Sequence, residues 1–138
     1  GSREVSMKVT GRCHCGNIRY VAEVDPDKVT VCHCTDCQML GGSAFRANVQ
    51  APRDTFVLHG KPTIYVKTAE SGNRRAHAFC PDCGTPVYSA AVNDPPHYSL
   101  RVGCLEQRAQ LKPARQIWCK SALGWAMHLK DVEQIMRQ

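Results

Sequence analysis

Apolar and polar residues alternate along much of this chain with a period of two, the signature of strands that bury one face. Ile18, Tyr20, Ala22 and Val24 fall on one side and Arg19, Val21 and Glu23 on the other, and Asp25-Pro26-Asp27 closes the run with turn-forming residues. Comparable short runs follow at 29–34, 44–50, 55–59, 63–67, 76–79, 87–91, 98–102 and 115–119, each set off by turn signals. Helical turns are expected only near Asp36 and over 105–111, while Gly41-Gly42 and Asn93-Asp94-Pro95-Pro96 read as loops. This is an all-β pattern with short helical turns.

Length and composition narrow the picture. With 138 residues, 43% of them hydrophobic, the chain is expected to form a single domain over residues 7–138, with a modest core that metal cross-links would reinforce. Residues 1–6 are set aside as a tag remnant or disordered N-terminus, with Gly1-Ser2 as the scar and Met7 as the native start. No apolar run approaches the roughly 20 residues of a membrane span, so a soluble, cytoplasmic protein without a membrane partner is expected.

The cysteines change the picture most. Seven of the nine lie in three clusters: Cys13-His14-Cys15, Cys32-His33-Cys34-Thr35-Asp36-Cys37 and Cys80-Pro81-Asp82-Cys83-Gly84. A structural zinc takes four protein ligands in a tetrahedron, whereas a catalytic zinc keeps about three and leaves a position open. Cys80 and Cys83 read as a zinc knuckle, which offers two sulfurs and needs another pair. In an extended segment Cys13 and Cys15 share a face and point away from His14, as Cys32 and Cys34 do from His33. Cys13 and Cys15 complete the knuckle with no sulfur left over, whereas borrowing from the middle cluster strands at least one. The count therefore assigns Cys13, Cys15, Cys80 and Cys83 to a closed structural zinc and Cys32, Cys34 and Cys37 to an open, part-occupied one.

Three other readings fit less well. Disulfides need an oxidising compartment, and no signal-peptide pattern is visible. An iron–sulfur cluster suits thiolates, but the spacing matches neither ferredoxin run. A second structural zinc, closed by Cys104, Cys119 or a histidine, is the strongest competitor.

The order Gly11-Arg12-Cys13-His14-Cys15-Gly16-Asn17, Cys32 to Gln38, Gly41-Gly42-Ser43-Ala44-Phe45 and Phe79-Cys80-Pro81-Asp82-Cys83-Gly84-Thr85-Pro86 resembles the glutathione-dependent formaldehyde-activating enzyme family, which includes centromere protein V. The resemblance runs from about Gly11 to His128. It implies a β-tent fold of small stacked antiparallel sheets, a structural zinc on the first and third clusters and a labile catalytic zinc on the middle one. It also implies carbon–sulfur lyase-type chemistry like that of S-(hydroxymethyl)glutathione synthase, in which glutathione adds to formaldehyde or a related small electrophile.

That chemistry suits the open donor set. A zinc held by three thiolates is a weak Lewis acid but a good acceptor of a fourth thiolate, whose pKa it lowers. The general acid is not fixed by sequence; His33, Asp36 and His59 are the candidates. His14 and His33 read either as outer partners of the metal ligands or as ordinary satisfied histidines. Cys104 and Cys119 are expected as buried apolar thiols, and Trp118, Trp125 and Tyr98 as core aromatics. Gly42-Ser43-Ala44-Phe45 either lines the open site or is a plain turn.

Charge adds a weak constraint. Eighteen Lys and Arg against twelve Asp and Glu give +6, which favours anionic partners such as glutathione without identifying them. Only Arg74-Arg75 are adjacent, so a nucleic-acid tail is not expected, and the charge is read mainly as solvated surface. Arg12, Arg46 and Arg101 are singled out because they lie near clusters or strand ends. The competing function is a non-catalytic zinc module binding nucleic acid or protein, which would tolerate a closed or absent second metal.

Overall fold

The structure, a computed structural model, describes residues 6–69 and 71–138. Residues 1–5 of the N-terminal segment set aside above lie outside them. The first two strands, β1 (Met7–Arg12) and β2 (Arg19–Val24), pair antiparallel and put Val9, Ala22 and Val24 on one buried face. After β3 (Thr30–Cys32), α1 (Thr35–Gly41) and β4 (Arg46–Pro52), the short β5 (Val57–His59) returns to the free edge of β2 and completes a three-stranded sheet, β1-β2-β5.

The rest of the chain builds a second sheet from β6 (Thr63–Thr68), β7 (Arg74–Phe79), β8 (Pro86–Ala91), β9 (His97–Arg101) and β10 (Arg115–Ile117). Its order is β10-β3-β4-β9-β8-β7-β6. Every neighbouring pair is antiparallel except β10 and β3, which run parallel. The arrangement is the all-β, two-sheet fold expected of a β-tent, with α1 and short 3-10 turns as its helical parts.

Strand alternation gives the large sheet two different faces. One carries Val49, Ala51 and Leu100, and packs against the buried face of the small sheet. Phe56 joins the two: its ring stacks on Tyr98 at 4.5 Å and meets Tyr20 and Tyr88 at 5.6 Å. Tyr98 is thus packed on the core as expected. Trp118 and Trp125 are not; both are more than half exposed, in a stretch after β10 without strand or α-helix. Cys119 is exposed there too, and Cys104 is only half-buried, its thiol donating to the Pro86 carbonyl at 3.2 Å. The expectation of two buried apolar thiols is corrected accordingly.

The small sheet depends on one absent side chain. Gly11 lies opposite Tyr20, and a Cβ placed on it would sit 2.2 Å from the Tyr20 ring, which is itself 2% exposed. Gly11→Ala must therefore push a buried aromatic out of place, and a cost of about 1–3 kcal/mol is expected. Thermal melts of the variant should show a drop of several degrees; an unchanged melting temperature would contradict this packing.

Candidate metal centres and an adjoining cationic cleft

Two turns of nearly the same build bring the first and third clusters together. Cys13 follows β1 and Cys80 follows β7, and each donates its backbone N–H to a carbonyl five residues on, Ile18 and Thr85, at 3.0 Å. Each accepts from a glycine N–H, Gly16 at 3.1 Å and Gly84 at 2.8 Å, and both glycines take positive φ, +84° and +77°. Residues with a Cβ rarely adopt that conformation, which is why a glycine closes each turn. The segment Cys13–Cys15 was expected to be extended; it is a turn, and the turn rather than strand alternation brings the two sulfurs to 3.6 Å.

The turns are also tied to each other. Asn17 donates to the Asp82 carboxylate at 2.8 Å, and the His14 backbone N–H to the Thr85 hydroxyl at 3.1 Å. The sulfurs of Cys13, Cys15, Cys80 and Cys83 then all lie within 4.8 Å of one another. Cys13 and Cys80 are fully buried. Four thiols so close cannot all ionise unaided. Thr85, 3.2 Å from the Cys83 sulfur, helps hold that thiol down at about 5. The Asn17 backbone N–H favours the Cys15 thiolate, but desolvation and the neighbouring sulfurs outweigh it and push that thiol up to about 12. A soft cation removes the conflict, so this donor set fits a metal ion.

The middle cluster is built differently. Cys32 ends β3, Cys34 occupies the N-cap of α1, and Cys37 lies in the first turn of that helix. The Cys34 sulfur accepts the Cys37 N–H at 3.3 Å, and the Arg46 guanidinium donates to the Cys37 sulfur at 3.1 Å. The three sulfurs lie within 4.8 Å of one another, and no fourth His, Cys, Asp or Glu joins the group among the described residues. Burial and the two neighbouring sulfurs push the Cys37 thiol up to about 12, with Arg46 opposing. Again a cation would let all three ionise, and the donor set fits one.

The histidines and acid singled out from sequence separate. His33 is fully buried, its Nε2 2.8 Å from the Gln116 side chain and its ring edge-on to Phe45, so it helps tie β3 to β10. His14 is exposed and contributes its backbone. His59 is exposed on the three-stranded sheet opposite Arg19, and Asp36 is ion-paired with Lys67. Gly42 closes α1 in the left-handed conformation, φ 65°, while Gly41 and Phe45 line a small cleft with Cys104.

Register reveals what sequence did not. Cys32 lies opposite Arg46, and Asn48, two residues on, lies opposite Arg101; Ser99 faces Ser89, which faces His77, which faces Tyr65. The second face of the large sheet is therefore polar and cationic. A cleft of about 340 Å³ opens there, lined by Arg46, Arg101, His77, Tyr65, Tyr88 and Leu40 among others, none of them acidic. Arg101 is 6% exposed, and burial together with the nearby Arg46 lowers its guanidinium to about 9. Burial and the surrounding arginines likewise hold His77 down at about 4, a neutral imidazole at pH 7. Arg46 and Arg101 were noted from sequence; Arg12 is exposed, and Tyr65 and His77 were missed because only the pairing of β6 with β7 brings them together.

A two-sheet all-β protein with one four-cysteine and one three-cysteine cluster has close parallels. The family model for the glutathione-dependent formaldehyde-activating enzyme matches residues 8–121. The chain belongs to that family, and so to a family of enzymes. It is 30% identical over 90 residues to a Halomonas elongata protein provisionally named a glutathione-dependent formaldehyde-activating enzyme, covering 59% of this chain and 55% of that one. It is also 30% identical over 87 residues to an uncharacterized lyase of Schizosaccharomyces pombe, covering 60% and 58% respectively. The chain thus spans little more than half the length of these relatives. A crystal structure of a Rhodobacter sphaeroides protein shares the fold, with a TM-score of 0.60 at 20% identity over 78% of this chain and 98% of that one. Among the described residues no helix is long and apolar enough to cross a membrane.

Proposed function

We propose that this chain is a zinc-dependent carbon–sulfur lyase-type enzyme that joins a small thiol, such as glutathione, to formaldehyde or a related small electrophile. In this reading Cys13, Cys15, Cys80 and Cys83 hold a structural zinc, and Cys32, Cys34 and Cys37 hold a second zinc with one position left for the thiol. The observation that carries it is the three-cysteine group, with no fourth ligand among the described residues, beside a cleft with room for a substrate. Residues 7–138 act as one unit, and seven cysteines gathered into two metal-ligand groups suit the reducing cytoplasm.

A zinc bound there would lower the pKa of an incoming thiol and hold its sulfur as a nucleophile. The protein does the rest. Arg46, already donating to Cys37, keeps the sulfur cluster electrostatically in check. The thiol loses its proton, the sulfur–carbon bond forms at the carbonyl carbon, and the carbonyl electron pair moves to oxygen, which then takes up a proton. Arg46, the cleft cation beside the three-cysteine group, favours that developing negative charge. Neutral His77, whose ring nitrogens have no partner among the described residues, can donate a hydrogen bond to it. Run backwards, the same groups cleave the carbon–sulfur bond.

Metal analysis tests this. Protein as purified should carry up to two zinc ions per chain, and mild chelation should remove one while the circular dichroism spectrum is kept. Calorimetric titration of glutathione into zinc-loaded protein should show saturable binding, and NMR should detect faster hemithioacetal formation with formaldehyde. Both ions leaving together would point to a second structural zinc. Zinc-loaded protein that binds no thiol but binds nucleic acid tightly would favour the non-catalytic module.

A further inference from the structure

The cleft beside the three-cysteine group is more positive than a neutral carbonyl and a metal-held sulfur require. Formaldehyde is uncharged and has two non-hydrogen atoms, whereas the cleft measures about 340 Å³ and has two arginines in its wall. The arginine at its base is unusually placed. Arg101 is 6% exposed, yet its hydrogen-bond partner is neutral: Nη1 donates to the Asn48 side-chain oxygen at 2.6 Å, and Nε has no partner among the described residues. Arg46, the cation whose charge opposes it most, also has an Nε without a partner among those residues. Arg75 adds like charge on the same sheet face but donates to Ser89, and the acid on α1, Asp36, is taken by Lys67. Among the described residues the Cys37 and Cys104 sulfurs oppose these like charges but no carboxylate meets the guanidinium, and a buried guanidinium so placed is costly unless a ligand supplies one.

The geometry points to a carboxylate-binding subsite in this cleft, with the guanidinium of Arg101 as its base and that of Arg46 linking it to the Cys37 sulfur. With Nη1 held by Asn48, Arg101 keeps its Nε edge for a planar carboxylate, which that edge can grip in two parallel bonds. Tyr65, Phe79 and Leu40 offer apolar wall to the carbon skeleton of a small organic acid. This assignment rests on the thiol-adduct reading only in taking the acid to be one of the two reactants, either a carboxylate-bearing thiol or a carbonyl compound that is itself an acid.

Propionate, which has neither thiol nor carbonyl, tests the subsite alone. Calorimetric titration into zinc-loaded protein should show saturable binding that Arg101→Gln weakens about 10- to 100-fold, the loss of a charge-assisted pair. NMR of the wild type should show contacts between the propionate methyl and the Tyr65 and His77 rings, a readout that does not depend on the variant folding. Absence of binding, binding unchanged in folded Arg101→Gln, or no such contacts would each overturn the proposal. Two turnover assays then locate the acid. Sensitivity to Arg101→Gln of 3-mercaptopropionate with formaldehyde places the carboxylate on the thiol, and sensitivity of 2-mercaptoethanol with glyoxylate places it on the carbonyl partner. Propionate binding without turnover in either pair would keep the subsite and remove the thiol-adduct reading.

Discussion

Cys80→Ser should yield a chain that is largely insoluble, or that lacks a cooperative melt. Cys80 is fully buried, and its sulfur lies 3.7 Å from that of Cys15, 65 positions earlier, so a metal held by this group pins the end of β7 to the end of β1. The hydrogen bonds joining the two turns lie near the surface and include one neutral backbone-to-hydroxyl contact. Such bonds contribute about 1 kcal/mol each. A structural zinc, by contrast, supplies about 10–16 kcal/mol of apparent folding free energy in small zinc domains. The net stability of a whole domain is about 5–15 kcal/mol. Losing one of four thiolates therefore removes an amount comparable to everything that holds the chain folded. Soluble yield, zinc content and near-ultraviolet circular dichroism are the measurements. Cys104→Ser is the control, since the half-buried Cys104 makes one side-chain hydrogen bond to a carbonyl that a serine can replace. A soluble Cys80→Ser protein with the melting temperature of the wild type would remove the structural-zinc assignment.

What the sequence made legible was local. Alternation marked β2, the turn residues marked its end, and the spacing of cysteines marked segments in which a few residues set the geometry. The strand β1 went unread because its alternation, Met7, Val9 and Gly11, ends in a residue with no side chain; it takes Tyr20 from the partner strand to fill that position. Trp118 and Trp125 were placed in the core on residue type alone, but apolar residues are not obliged to be inside, and the segment after β10 has no regular structure to carry them there. The cationic cleft was out of reach for a different reason. Arg46, Tyr65, His77 and Arg101 sit on four strands, and they share a wall only because β4 pairs with β9, β9 with β8, β8 with β7 and β7 with β6 in one register each. A one-residue slip in any of these pairings would send its side chains to the other face. No pattern within a single strand contains that information.

Cys34→Ser should abolish thiol binding and turnover while leaving the fold intact, and its position explains why the two can be separated. Cys34 is the N-cap of α1, where its sulfur accepts the Cys37 N–H at 3.3 Å. Serine is among the best N-cap residues, and its hydroxyl can accept the same bond, so the helix keeps its start and little stability should be lost. What serine cannot supply is a soft anionic donor. With two thiolates left, the second zinc should bind far more weakly. Disturbing even the outer hydrogen-bond partners of a metal ligand costs about 10- to 100-fold in affinity or activity, so losing the ligand itself should exceed 100-fold. The expected result is one zinc per chain, a melting temperature within a few degrees of the wild type, no detectable heat on glutathione titration, and no acceleration of hemithioacetal formation. Propionate should still bind, because Arg101 and its Asn48 partner lie on β9 and β4, away from the helix cap. Retained thiol binding in folded Cys34→Ser would show that the sulfur of the substrate does not meet a metal at this cluster, whereas joint loss of thiol and propionate binding would mean that α1 had moved and carried Arg46 with it.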